Sequence, residues 1–131
     1  MSETPLIVCV EDDAGVREAI TGFIAALGFA AEGFSSAEEF LQSGRLDDAS
    51  CLIIDVKLTG MSGLELQTRL VAMGCNTPIV IITAFPDEKV HAQAMSSGAV
   101  CFLTKPITKD DLVECIDQAL NRHPDVGGAA P

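Results

Sequence analysis

The chain is short of positive charge: its 131 residues carry 8 Lys and Arg against 19 Asp and Glu, a formal net charge of −11 at pH 7. That argues against a direct grip on nucleic acid by this chain itself, because neutralising phosphates takes clustered Lys and Arg. The same imbalance suits solubility and the attraction of a cation or a basic partner surface. Also lacking is any apolar run near the roughly 18 residues of a membrane span, and no charged-then-apolar leader opens the sequence. The five cysteines, Cys9, Cys51, Cys75, Cys101 and Cys115, are odd in number and unevenly spaced, which fits neither a zinc site nor a redox pair. Cys9, Cys51 and Cys101 stand in apolar runs and read as small buried hydrophobes. A reducing, cytoplasmic setting without membrane contact is the expectation.

What is present reads as one globular domain. The hydrophobic fraction is 48%, and a chain of this length is expected to bury roughly two-thirds of the surface it exposes when unfolded. Short apolar runs recur as LIVCV at 6–10, FAAEGF at 29–34, CLII at 51–54, PIVII at 78–82 and AVCFL at 99–103. Segments of helical periodicity separate them. Val16, Ile20, Phe23, Ile24 and Leu27 form one buried stripe; Leu66, Leu70 and Met73 form another, as do Leu112, Ile116, Ala119 and Leu120. Ala37, Phe40 and Leu41 mark a shorter helix, and 87–97 completes a set of five, with Gly28, Gly74 and Gly98 as stops. Five strands alternating with five helices predict an α/β fold with a mainly parallel sheet covered on both faces. FAAEGF, the least apolar run, belongs toward an edge. Residues 1–121 form the domain; 122–131, where periodicity gives way to Pro and Gly, read as a flexible tail or the start of a linker. His123 in that tail and His91 on the fourth helix read as surface residues.

Ligands of an open parallel sheet bind beyond the carboxyl ends of its strands. Those ends carry Glu11-Asp12-Asp13 after the first strand, Asp55 after the third, Thr83-Ala84 after the fourth and Lys105-Pro106 after the fifth. Carboxylates gathered on one rim repel one another unless something compensates. A hard divalent cation, Mg²⁺ or Mn²⁺, held by oxygen ligands is the natural compensator, with Lys105 as a second positive point. Such a rim suits a phosphoryl group: metal and Lys105 would hold its oxygens, the Thr83 hydroxyl would donate to one of them, and Asp55 would be the nucleophile. Taken singly, each piece has a plainer reading: a helix cap for Glu11-Asp12-Asp13, a turn residue for Asp55, an ordinary strand end for Thr83, a loop for Lys105-Pro106. It is their coincidence on four strands that points to chemistry.

From about Leu6 to Leu120 the sequence resembles the receiver domains of two-component response regulators. Their pattern is an acidic pair, a phosphorylated Asp, a Thr or Ser and a Lys-Pro after strands one, three, four and five. Glu11-Asp12, Asp55, Thr83 and Lys105-Pro106 match it in order, and FSSAEEFL, MSGLEL and AVCFLTKP are similar to the FixJ-like subgroup. The resemblance implies a flavodoxin-like (βα)5 sandwich with strand order 2-1-3-4-5. It implies Mg²⁺ held by Asp12 and Asp55, by Glu11 mainly through water, and by the backbone carbonyl of Lys57. Thr83 and Lys105 would bind the phosphoryl oxygens, Ala84 would be the small neighbour of the phosphate, and Phe102 the aromatic that swings inward with Thr83. The Lys57 side chain occupies a position that tunes phosphate hydrolysis in the family. A sensor histidine kinase or phosphotransfer protein would be the donor, and the face of the fourth helix, fifth strand and fifth helix the output surface and possible homodimer contact. Control of transcription through a helix-turn-helix domain is the implied output, a stand-alone phosphorelay or protein-binding receiver the alternative. Two departures stand out: Thr59, where the family commonly has Pro, and the pair Phe85-Pro86 after Ala84.

Three other readings compete. A haloacid-dehalogenase-like phosphatase would carry DxDxT, which Asp55-Val56-Lys57-Leu58-Thr59 nearly echoes, but Lys57 cannot act as the acid and base that the second Asp supplies. A flavodoxin-like binding module would place hydroxyl and glycine donors after the first strand, where Glu11-Asp12-Asp13 instead repel an anion. A degenerate receiver, making protein contacts only, would have no need of the complete set.

Overall fold

Each apolar run becomes a strand. In the computed structural model, which describes residues 4–121, these are β1 (Leu6–Val10), β2 (Ala30–Phe34), β3 (Ala49–Asp55), β4 (Ile79–Thr83) and β5 (Cys101–Thr104). The helices between and after them are α1 (Ala14–Ala26), α2 (Ala37–Ser43), α3 (Gly63–Ala72), α4 (Glu88–Ser96) and α5 (Lys109–Asn121), and a single 3-10 turn, Leu46–Asp48, leads into β3. The sheet is parallel in the order β2-β1-β3-β4-β5. β3 is therefore central, and the weakly apolar β2 is an edge. The assigned tail, 122–131 with His123, lies outside the described residues.

Alternation along each strand divides the core in two. Val8, Val10, Leu52, Ile54 and Ile81 pack with Phe34, Phe40, Leu66, Leu70 and Ala94 on the side of α2, α3 and α4. Ile7, Cys9, Cys51, Ile53, Val80 and Ile82 pack with Ile20, Ile24, Leu112 and Ile116 on the side of α1 and α5. Strands buried on both faces must be apolar throughout, which is why β1, β3 and β4 show no polar alternation.

Two expectations need correction. Met73 is 58% exposed rather than part of a buried stripe: it caps α3, whose whole end, residues 71–74, is exposed. The inward position beside Leu66 and Leu70 belongs instead to Gln67, 1% exposed, whose Nε2 donates to the Ala94 carbonyl of α4 at 2.9 Å. Cys101 is only half-buried, and its thiol donates to Gln118 Oε1 at 3.3 Å. Cys9 and Cys51 are core residues as expected, and burial pushes both thiols up to about 12, so they stay protonated and unreactive. Among the described residues no helix is long and apolar enough to cross a membrane.

Candidate phosphoacceptor and metal site

Backbone hydrogen bonds that run past the last strand residues bring the candidate side chains together. Glu11 N–H donates to Phe34 O at 2.9 Å, Val56 N–H to Ile82 O at 2.9 Å, and Lys105 N–H to Thr83 O at 2.8 Å. The pairing of β1 with β2, of β3 with β4 and of β4 with β5 thus continues past their last residues, with Asp55 as the last residue of the central strand, opposite Ile82.

The centre of the rim is a buried ion cluster. Asp55 is 3% exposed and Glu11 fully buried, and the Lys105 ammonium bridges them, 2.7 Å from Glu11 Oε1 and 3.0 Å from Asp55 Oδ2. Asp55 Oδ1 faces the Lys57 N–H at 3.4 Å, and Glu11 Oε2 accepts from the Asp13 N–H at 3.1 Å. Asp12 stands at the exposed edge. Oxygens of Glu11, Asp12 and Asp55 all lie within 4.8 Å of one another.

One ammonium does not neutralise three carboxylates. Burial pushes the Glu11 carboxyl up to about 7, against the opposing hydrogen bonds from Lys105 and Asp13. For Lys105 burial works against the charge, yet its bonds to Glu11 and Asp55 outweigh it and leave the ammonium harder to deprotonate than usual. Three carboxylates gathered around one ammonium, their oxygens within 4.8 Å of one another, fit a hard divalent cation as the missing positive charge.

A pH prediction follows. Glu11 holds its proton more tightly folded than unfolded, so its contribution to stability is complete below about 4.5 and is lost as pH rises through about 7. Without metal, urea unfolding from pH 5 to pH 8 should show a loss of about 2–3 kcal/mol that Glu11→Gln removes. Parallel profiles for the two proteins would refute this assignment.

The other candidates surround this centre. Thr83 is 3% exposed, and its hydroxyl is tied to the following loop, accepting from Phe85 N–H at 3.1 Å and facing Phe85 O at 3.4 Å. Ala84 and Pro106 are exposed beside it. Lys57 makes no ion pair with the carboxylates among the described residues; its ammonium lies 5.3 Å from the centroid of the Phe85 ring, which is 70% exposed. Phe102 is half-buried on β5 and meets the His91 ring edge-on at 4.8 Å. His91 is exposed as expected, but it touches the one aromatic with an assigned role.

Asp13, the third acid of the run, has the plain role. Its Oδ1 accepts from Val16 N–H at 3.0 Å and caps α1. Asp13→Ala should lower stability by about 1 kcal/mol while leaving metal binding and phosphorylation intact; loss of either would assign Asp13 to the site.

Several participants have no local signature in the sequence. Arg17 Nη1 donates to the Glu11 carbonyl at 2.8 Å, Thr59 Oγ1 to Asp12 Oδ2 at 3.3 Å, and Met61 N–H to Glu38 Oε2 of α2 at 2.9 Å. Gly63, the first residue of α3, donates to Val56 O at 2.9 Å and rests on the backbone of Asp55.

Comparison with known proteins points to one family. Residues 7–117 match the family described as the response regulator receiver domain. Nodulation protein W of Bradyrhizobium diazoefficiens is 38% identical over 121 residues, 92% of this chain and 53% of that protein. The transcriptional regulatory protein FixJ of Azorhizobium caulinodans is 32% identical over 127 residues, 97% of this chain and 60% of that one. The structure of the response regulator StyR superposes with a TM-score of 0.86 at 37% identity, covering 97% of this chain and 64% of the other. The chain thus spans little more than half the length of the curated relatives it matches.

Proposed function

The chain belongs to the response regulator receiver domain family, and on that premise we propose that it accepts a phosphoryl group on Asp55. The observation that carries this is the Lys105 ammonium held between Glu11 and Asp55 beside exposed Asp12: a nucleophilic carboxylate, a fixed cation and a metal-ready acidic cluster meet at the end of one central strand.

The donor is the phosphohistidine of a sensor histidine kinase or phosphotransfer protein. Its P–N bond breaks as a P–O bond to the Asp55 carboxylate forms, and the imidazole leaves with the electron pair. Glu11, Asp12 and Asp55, with the Lys57 carbonyl, would hold Mg²⁺ or Mn²⁺, which when bound supplies charge neutralisation for the phosphoryl oxygens. Lys105 is already fixed at Asp55 Oδ2 and needs no reorganisation to contact the incoming group. Thr83 must exchange its bonds to the Phe85 backbone for one to a phosphoryl oxygen, which draws the β4–α4 loop inward and frees space for Phe102. Two loop arrangements differing in this way form a two-state element that phosphorylation biases.

On this reading residues 1–121 are a cytoplasmic receiver, 122–131 lead out of it, and the α4–β5–α5 face passes the signal on, through a homodimer or an output domain. Control of transcription is the favoured output, because FixJ is described as a transcriptional regulator. The domain promotes its own phosphorylation and dephosphorylation and is not a turnover enzyme. Incubation with acetyl phosphate and Mg²⁺ should add the mass of one phosphoryl group, and EDTA should prevent it. An unmodified protein, or an adduct indifferent to EDTA, would overturn the reading.

A further inference from the structure

The loop between β3 and α3 carries Thr59 to Asp12, 47 positions away in sequence, where Thr59 Oγ1 donates to Asp12 Oδ2 at 3.3 Å. Both side chains are exposed, so this bond forms only because the loop is held from elsewhere. Leu58 anchors it in the core. Two residues further on, Glu38 of α2 accepts the Met61 N–H at 2.9 Å, a bond that keeps the Glu38 carboxyl below its ordinary pKa and so ionised. Between them Gly60 adopts φ +82°, a backbone conformation that favours glycine.

Asp12 differs from its two companions. Lys105 orients Glu11 and Asp55, whereas among the described residues the side-chain partner of Asp12 is Thr59. An exposed Asp without a partner would have to be ordered at the moment it captured an ion. A hydroxyl on one carboxylate oxygen sets its rotamer beforehand and leaves the other oxygen for the ion.

We propose that Thr59 is a positioning residue of the metal site, holding Asp12 ready for a divalent cation, and that α2 acts on cation affinity through the Glu38 grip on the same loop. This role presupposes the reading of Glu11, Asp12 and Asp55 as a Mg²⁺ site.

The test is direct Mg²⁺ titration of the apo protein by isothermal calorimetry, with fold integrity checked by thermal melting in EDTA. Thr59→Val, which keeps the shape and removes the hydroxyl, should raise the Kd by up to about tenfold. Thr59→Ser should restore it to within about twofold, and Glu38→Ala should weaken binding by a smaller factor. Phosphorylation by acetyl phosphate should need proportionally more Mg²⁺ in Thr59→Val, with the plateau rate at saturating Mg²⁺ unchanged, a separation that a merely structural defect would not produce. A Kd unchanged in Thr59→Val overturns the role of Thr59, and one unchanged in Glu38→Ala overturns the coupling through α2. Wild type that binds Mg²⁺ without gaining a phosphate would defeat the phosphoacceptor reading alone, whereas wild type that binds no Mg²⁺ removes both.

Discussion

Asp55→Asn should form no phosphate adduct with acetyl phosphate and Mg²⁺ while remaining folded, and its stability without metal should equal or exceed that of wild type. The first expectation follows from chemistry: an amide oxygen is too weak a nucleophile to form the acyl phosphate, so the loss should be complete rather than partial. The second follows from the geometry. Asp55 and Glu11 share one ammonium, and the charge on Asp55 is among the influences that raise the Glu11 pKa. Removing it leaves Lys105 paired with Glu11 and relieves repulsion between two buried carboxylates, which offsets the weaker contact that the amide makes. Intact-mass measurement and urea denaturation read the two effects separately. An adduct of wild-type size on the variant would move the phosphoacceptor elsewhere, and a large destabilisation would show that the site is already balanced without a cation.

The second large effect should come from a residue with no functional group. A Cβ on Gly63 would collide with the Asp55 carbonyl oxygen and lie 2.7 Å from the Asp55 carbonyl carbon and 2.9 Å from Val56 Cα. Both sides of this contact are backbone, one the central strand, the other the start of a helix fixed by the Ser62–Glu65 capping box and by Gly63 N–H on Val56 O. Neither can yield as a flexible side chain can. Gly63→Ala should therefore fall at or beyond the upper end of overpacking costs, about 3 kcal/mol, and lower the melting temperature by about 10 °C or more. Because the displaced atoms belong to Asp55, phosphorylation should slow as well. Gly22 is the control: it lies within α1 with nothing within 4 Å of its Cβ position, so Gly22→Ala should stabilise by about 0.5–1 kcal/mol. If circular dichroism melts show the two substitutions to be alike, the close packing of α3 on β3 is wrong.

What was legible in the sequence was whatever is written locally. Apolar runs buried on both faces, helical stripes such as Ile20 with Ile24, and glycines placed after helix ends each depend on neighbours a few positions away, and each became the element it predicted. The candidate site was legible for the same reason. In a parallel sheet every strand delivers its last residue to the same edge, so Glu11, Asp12, Asp55, Thr83 and Lys105 could be placed on one rim from sequence order alone.

Tertiary structure decided what depends on segments that only the fold brings together. No local pattern says that Lys105 reaches Glu11 as closely as Asp55, that Thr59 meets Asp12, that Glu38 grips the loop at Met61, or that Gly63 must lack a side chain to lie against Asp55. Nor does periodicity reveal where a helix outruns its cover, which is why Met73 is exposed and Gln67 buried. The sequence by itself determined which chemical groups arrive at the rim, since the ends of strands are local facts and a parallel sheet gathers them on one edge. Which of them touch, and which carboxylates share the single ammonium, was settled by contacts of a few ångströms between residues tens of positions apart, and these exist only once the sheet and its helices have closed around them.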